Sequence, residues 1–303
     1  MRHRKATRIA HSHRLNNTGF SISVDLTGPH EPDVDGNTFA LVAVEIASSK
    51  GGVYLQTDKT AASCLESIKQ FESDLKQTAH DTAKTISHFH HDNDASFRGV
   101  VSDYARDKGW VDTHTGGYDP NCNSIVERRI GMLNQLFRII LLCATGGATY
   151  YEALWGRGLC YASSIIDSMP WPDRESPNSF LAGKELEPDS DRHVFGAYCL
   201  YYIDQEQRAE KWQPTSEMGI WVGLDPNTKG GHLVCPIQWD SLEGVWLIGK
   251  TVSSRTVKVY DDKFPLRMIP KNRSIPPQWI VLTLLLTECL IHYFGLKMEV
   301  ICL

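Results

Sequence analysis

The sequence predicts an α/β protein, with a domain of strands and helices over residues 18–168 and a small β domain over residues 192–265. Near the start, apolar and polar residues alternate, which is the period of a strand with one buried face. Further along, apolar residues recur at three- and four-residue spacing, which is the period of a helix. After a proline-rich stretch at 170–177, short apolar runs alternate with turn residues, a pattern typical of a small β-barrel.

The first domain is predicted to alternate strands with helices. Strands are expected at 20–26, 39–46, 53–55, 86–91 and 110–115, and helices at 61–77, 97–108, 124–142 and 150–168. The first three strands follow one another with short connections, so they should form an antiparallel meander. In the first strand, Phe20, Ile22 and Val24 share one face and Asp25 lies on the other. Strands followed by alternating helices and strands in this order are typical of an α/β fold.

The other segments have less regular patterns. Residues 169–191 should form a linker with a short helix, and short strands are expected at 194–203, 219–223, 232–235, 245–248 and 255–260. Residues 1–17 are a basic lead-in without an acidic residue, and they lack the apolar stretch of a signal peptide. Residues 266–303 are an unassigned apolar tail. Its apolar run is about as long as the shortest membrane spans, but polar residues interrupt it, so no membrane partner is expected.

Composition indicates a packed intracellular protein. Of the 303 residues, 42% are hydrophobic and 22% are charged, which is near the average for globular domains. The eight cysteines are scattered and include no C-x-x-C pair. That spacing favours reduced thiols over a disulfide scaffold or a zinc knuckle.

Charge gives a mixed indication about nucleic acid. The net charge of −5 disfavours a nucleic-acid partner, because neutralising phosphates requires lysine and arginine. Arg128, Arg129 and Arg138 nevertheless form a local basic group. A locally basic face can bind DNA on an acidic protein, although surface arginines are also ordinary solvated charges.

Three acidic residues have the local settings of a two-metal enzyme that acts on nucleic acid. Asp25 is in a predicted strand, Asp92 directly follows another, and Glu127 is in the first turn of a predicted helix. Carboxylates are ligands that Mg²⁺ prefers, and two ions about 3.5–4 Å apart can activate a nucleophile and stabilise a leaving oxygen. Taken singly, each acid is more typical of exposed surface. Ser124 and Glu127 also fit a helix capping box.

The motifs around these acids resemble the catalytic core of copia-type retrotransposon integrases, which are members of the RNase H-like superfamily. SVDLTG at 23–28 resembles the segment with the family's first acid, and HDNDASF at 91–97 resembles D-N-G-x-E-F. YDPNCNSIVERR at 118–129 resembles Y-x-P-Q-Q-N-G-x-x-E-R. Downstream, SPNSFLAGK, RHVFG and KWQPTSEMGIWVG resemble segments that lead into the small β-barrel after the core. The resemblance covers about residues 1–265.

This resemblance implies an RNase H-like catalytic core with a mixed five-stranded sheet, followed by a small β-barrel, and a role in DNA integration. Asp25, Asp92 and Glu127 would be the catalytic residues and would hold two Mg²⁺ or Mn²⁺ ions. The reaction would trim a DNA 3′ end with water and then join that end to target DNA. The residues that would contact nucleic acid are Tyr118, Asn123, Arg128 and Arg129.

The resemblance also implies the biological setting. The DNA partners would be the element ends and the target, bound by a homo-oligomer in the nucleus and in virus-like particles. The chain is expected to be a piece of a Pol polyprotein. The family's His-His-Cys-Cys zinc domain is absent, since no cysteine precedes Cys64, and no zinc is expected.

Departures from the family pattern leave an alternative open. The spacing between Asp92 and Glu127 is one residue shorter than the family usually has. Asp94 replaces a glycine and adds a negative charge beside Asp92, and Ser124 replaces a glycine where it can cap the following helix. The alternative is a catalytically inactive DNA- or protein-binding remnant of the element.

A different metal enzyme is the other alternative. His88, His90 and Asp92 begin the H-x-H-x-D-H signature of metallo-β-lactamase-fold hydrolases. Asn93 stands where the next histidine is required, so histidines on a half-exposed strand are the favoured interpretation.

Overall fold

The computed structural model describes residues 19–114, 123–147, 149–171, 174–187, 190–208 and 210–267. These residues cluster into two compact units, one within 1–134 and 159–190 and the other within 135–158 and 191–303. The predicted lead-in over 1–17, the side chain of Tyr118 and nearly all of the predicted tail lie outside the described residues. The domain boundaries drawn from the sequence stay predictions.

A mixed five-stranded sheet forms the centre of the first unit. Its strands are Phe20–Thr27 (β1), Phe39–Glu45 (β2), Gly51–Gln56 (β3), Ile86–His91 (β4) and Val111–His114 (β5). They are ordered β3-β2-β1-β4-β5. The pairs β1–β2 and β2–β3 are antiparallel, whereas β4 is parallel to both β1 and β5. The predicted meander and the α/β class with a mixed five-stranded sheet are therefore confirmed.

Helices follow the predicted order with two differences. They are Ala61–Thr78 (α1), Val100–Asp107 (α2), Ser124–Thr145 (α3), Trp155–Ser168 (α4) and Pro177–Ala182 (α5). The single helix predicted over 97–108 is wrong, because Arg98 and Gly99 separate a 3-10 helix at Ala95–Phe97 from α2. Gly99 has a φ of 62°, which suits a residue without a Cβ and interrupts the helix. A 3-10 helix at Thr149–Leu154 likewise precedes α4.

The two faces of β1 have different surroundings. Phe20, Ile22 and Val24 belong to one buried apolar cluster with the inner side of α1. Because side chains alternate along a strand, Ser23 and Asp25 lie on the opposite face. Ser23 is only 2% exposed, so this second face is also covered. A polar residue next to Asp25 is thus held away from water.

The second unit contains an antiparallel sheet of six strands. They are Tyr198–Tyr202 (β6), Ser216–Leu224 (β7), His232–Asp240 (β8), Val245–Ile248 (β9), Val252–Ser254 (β10) and Val257–Tyr260 (β11). The order is β10-β8-β7-β6-β11, with β9 also paired to β8. This confirms a second, small β domain. In the described part of the chain no ladder joins the end strands β10 and β11, so the pairing does not close a barrel.

Among the described residues, no helix combines the length and the apolar character needed to cross a lipid bilayer.

Candidate active site

The parallel pairing of β1 with β4 brings the first two predicted acids together. Val24 of β1 is the register partner of His91, the last residue of β4. Asp25 directly follows Val24, and Asp92 directly follows His91. Since paired strands lie roughly 4.8 Å apart, these acids are neighbours at the end of β4.

Asn123 connects the third acid to the same strand. Its side-chain oxygen accepts a 2.5 Å hydrogen bond from the Ser23 hydroxyl, and its amide nitrogen donates to the Val24 carbonyl at 3.3 Å. The Asn123 carbonyl accepts from the Glu127 backbone N–H at 3.1 Å. The start of α3 therefore lies against the residues just before Asp25, and Glu127 is in its first turn. The Glu127 side chain is exposed.

The electrostatics of Asp25 show that the acids act on one another. Burial raises the pKa of its carboxyl to about 6, although the backbone N–H of Leu26 opposes the shift with a 2.8 Å hydrogen bond. The negative charges of Asp92, Glu127 and Asp94 raise this pKa further. Groups that are far apart in sequence thus share one region of negative potential.

This site fits a hard divalent cation in its chemistry but not yet in its geometry. Carboxylate oxygens are the donors that Mg²⁺ prefers, and a cation would relieve the repulsion that Asp25 experiences. However, within the described ranges no three His, Cys, Asp or Glu side chains lie close enough together to hold a metal ion. The acids share an electrostatic site without forming a ready coordination shell.

Asp94, the extra acid, is committed to neighbouring groups. One of its oxygens accepts from the Lys59 ammonium at 2.8 Å, and the other accepts from the Ser96 backbone N–H at 2.8 Å and hydroxyl at 2.7 Å. The hydrogen bond from Lys59 is the main reason that the pKa of Asp94 falls to about 2. Asp94 therefore acts as the cap of the 3-10 helix and as an ion-pair partner.

The two adjacent arginines have opposite surroundings. Arg128 is exposed, whereas Arg129 is only 5% exposed. The Arg129 guanidinium donates to the Asp167 carboxylate at 2.8 Å and to the Ser163 hydroxyl at 2.8 Å. Asp167 also accepts from the Lys50 ammonium at 3.0 Å. Arg129 is thus part of a buried ion network, which does not fit the predicted contact with nucleic acid.

The other residues predicted to contact nucleic acid also differ in their exposure. Asn123 is only 4% exposed and its amide is used within the protein. Tyr118 lies outside the described residues. Arg128 keeps the exposure that a phosphate contact requires.

The histidines of the rival hydrolase signature are used locally. A ring nitrogen of His88 lies 3.0 Å from the Ser87 hydroxyl, and one of His90 lies 2.9 Å from the Thr113 hydroxyl. Among the described residues, neither histidine belongs with Asp92 to a group of three side chains that could hold a metal ion.

Sequence reasoning missed three residues that shape this site. Ser23 could have been found, since the two-residue period puts it on the Asp25 face. Lys59 and His91 had no such signal, because their roles depend on partners distant in sequence. Buried His91 contacts the Asp92 carbonyl and lies 3.0 Å from the Asp112 carboxylate.

Comparison with known proteins gives matches only among solved structures. No protein-family model and no curated protein matches the chain. It is similar to the catalytic core domain of BIV integrase, with a TM-score of 0.38 and 19% identity, over 54% of this chain and 93% of that one. It is also similar to the HTLV-2 integrase catalytic core domain solved with magnesium in a trimeric form, with a TM-score of 0.41 and 14% identity, over 55% and 98% of the two chains.

A third similar structure is a simian T-cell lymphotropic virus intasome in complex with PP2A regulatory subunit B56 gamma. The TM-score is 0.41 and the identity 15%, over 80% of this chain and 87% of that one. These three structures are two integrase catalytic cores and one intasome. Likeness at these TM-scores does not assign a function, which has to rest on the residues of the chain itself.

Proposed function

We propose that the first unit is the catalytic core of an integrase that joins DNA ends to target DNA. The observation that carries this proposal is the pairing of β1 with β4, which puts Asp25 beside Asp92, together with the hydrogen bonds that hold the start of α3, which carries Glu127, against the residues before Asp25. The order and motifs of the three acids match those of copia-type retrotransposon integrases. We therefore also propose that the chain is part of a retrotransposon Pol polyprotein.

The three acids would act together as metal ligands. Asp25, Asp92 and Glu127 would hold Mg²⁺ or Mn²⁺, which when bound supplies activation of an attacking oxygen and stabilisation of a leaving oxygen. Two observations support this assignment: the β1–β4 register puts Asp25 beside Asp92, and the start of α3, which carries Glu127, is hydrogen-bonded to the residues before Asp25. Exposed Arg128 follows Glu127 directly and would neutralise a backbone phosphate of the bound DNA.

The proposed reaction needs only DNA and water as reactants. In end trimming, a water oxygen forms a bond to phosphorus and the bond from phosphorus to a 3′ oxygen breaks, which leaves a free 3′-hydroxyl. In joining, that hydroxyl attacks a phosphodiester of the target and displaces the 3′ oxygen there. Joining forms one phosphodiester for each one broken, whereas trimming breaks one and uses one water molecule.

The proposal includes the setting in which this chemistry would occur. DNA would be bound as element ends and target by a homo-oligomer, because two ends must be joined at one target site. The locations proposed are the nucleus and virus-like particles.

The direct test is joining of a labelled DNA end into plasmid with Mg²⁺ or Mn²⁺. Asp92→Asn should abolish joining, since it removes a ligand charge while keeping the side-chain shape. The matched control is Asp103→Asn, the same chemical change on the exposed side of α2, which should keep wild-type joining. Joining that survives Asp92→Asn, or that does not depend on a divalent cation, would sink the proposal.

A DNA- or protein-binding remnant is the second candidate. It is favoured by one observation, that no three suitable side chains among the described residues lie close enough to hold a metal ion. DNA binding by the wild-type chain without joining would select this candidate. Zinc-dependent ester or lactam hydrolysis would instead favour the metallo-β-lactamase-fold alternative.

A further inference from the structure

Both polar atoms of the Asn123 side chain form hydrogen bonds within the protein. Its oxygen accepts from the Ser23 hydroxyl at 2.5 Å, and its nitrogen donates to the Val24 carbonyl at 3.3 Å. The residue is 4% exposed and Ser23 is 2% exposed. Water therefore does not compete for these hydrogen bonds, and breaking them would leave buried polar groups without partners.

The bonds connect two of the predicted metal ligands. Ser23 and Val24 directly precede Asp25 on β1. At the other end, the Asn123 carbonyl accepts from the Glu127 N–H in the first turn of α3. A single residue thus ties the strand position next to Asp25 to the helical turn that carries Glu127.

We propose that Asn123 is a positioning residue that fixes Glu127 relative to Asp25, and that it is not a nucleic-acid contact. This inference rests on the proposed function, because it assigns the residue a role toward the ligands of that site. The amide group suits the role, since one short side chain must accept from a hydroxyl and donate to a carbonyl at once. Aspartate cannot donate the second bond when ionised, and glutamine adds a methylene to a buried contact.

The test compares Asn123→Ala, Ser23→Ala and the double variant in the full chain. Mn²⁺ affinity is measured by electron paramagnetic resonance, and affinity for a labelled DNA duplex by fluorescence anisotropy without metal. Each single change should weaken Mn²⁺ binding about tenfold, as expected when a group that orients a ligand is lost. The double variant should be no weaker than the weaker single variant, since both changes break one connection. DNA affinity should stay within about twofold of wild type.

Other outcomes overturn the inference. Unchanged Mn²⁺ affinity together with weaker DNA binding would make Asn123 a nucleic-acid contact. Additive losses in the double variant would show that Ser23 and Asn123 act separately. Ser23→Ala is the variant that should disturb the fold least, because it removes one oxygen and leaves the Asn123 bond to Val24 in place.

Failure of the proposed function gives a different result. If the wild-type chain binds no Mn²⁺, the proposed metal site is contradicted. Hydrogen exchange of the peptide over 124–130 then decides the remaining point. Faster exchange in Ser23→Ala would support positioning of the α3 start by Asn123, and unchanged exchange would overturn it.

Discussion

Replacing Asp25 with asparagine should stabilise the folded chain at neutral and alkaline pH. Burial and the neighbouring acids raise the pKa of this carboxyl from 3.8 to about 6. Its charged form is therefore less favourable in the folded state than in the unfolded state. Asparagine has the same shape without the charge, and its side-chain oxygen can still accept from the Leu26 N–H.

The magnitude follows from the size of the shift. A rise of roughly two pKa units corresponds to about 3 kcal/mol at about 1.36 kcal/mol per unit. Asp25 is only partly buried, so solvent screening reduces this to about 1–2 kcal/mol. The sign is set by linkage, because a raised folded-state pKa destabilises the folded protein once the group is ionised. The cost is absent below the unfolded value near 3.8, grows as pH rises, and is complete above about 6.

The assay is urea unfolding of wild type and Asp25→Asn at pH 8 and pH 4. Far-UV circular dichroism follows the unfolding and is fitted with two transitions, because the chain contains two compact units. The variant should be more stable by about 1–2 kcal/mol at pH 8, and by a few tenths at pH 4. Asp107→Asn, on the exposed end of α2, is the matched control and should change stability by less than about 0.5 kcal/mol at both values. A gain of equal size at both pH values, or a loss at pH 8, would refute the reasoning.

Two further predictions concern the buried arginine network and its glycine neighbour. Arg129→Ala should lower the free energy of unfolding by about 3–5 kcal/mol, because it leaves buried Asp167 with less compensation, whereas Arg128→Ala should leave stability unchanged and weaken DNA binding. Urea unfolding and fluorescence anisotropy separate the two effects, and equal stability of the two variants would contradict the assignment. Gly51→Ala should cost about 1–3 kcal/mol in urea unfolding, because its Cβ would approach the Arg129 guanidinium to 2.7 Å. The control is Gly131→Ala at an exposed position of α3, where the added Cβ would meet no atom within 4 Å beyond its chain neighbours and the nearby backbone of its own helix.

Local periodicity predicted most of the first sheet and its helices. The alternation in β1 identified both the apolar face and the face that carries Asp25. The break at Gly99 was missed because the apolar spacing on either side of it is helical, and only the backbone conformation interrupts the helix. The parallel pairing of β1 with β4 has no local signal, so the side-by-side placement of Asp25 and Asp92 came from motif resemblance and not from periodicity.

The surroundings of polar residues were harder to predict than the elements. Arg128 and Arg129 look equivalent as sequence, but the helical period turns them to different directions. Arg129 is buried because Lys50 and Asp167, both distant in sequence, supply partners for it. Asn123 was expected at the DNA surface for its motif, and its burial depends on a hydroxyl that comes a hundred residues earlier.

These surroundings bear on how the first unit would bind DNA. Arg129 is buried, Lys59 is paired with Asp94, and Arg98 donates to the Asn93 side chain at 2.8 Å. These three cations are thus already committed within the protein, while Asp25 and its neighbours keep the region negative. Each phosphate contact contributes roughly 0.9 to the slope of log affinity against log salt concentration. A unit with few cations free to contact phosphates should therefore show a shallow slope. Neutralisation of the acids, by substitution or by a bound cation, should then raise DNA affinity. The carboxylates proposed for catalysis would in that case also set the dependence of DNA binding on divalent ions.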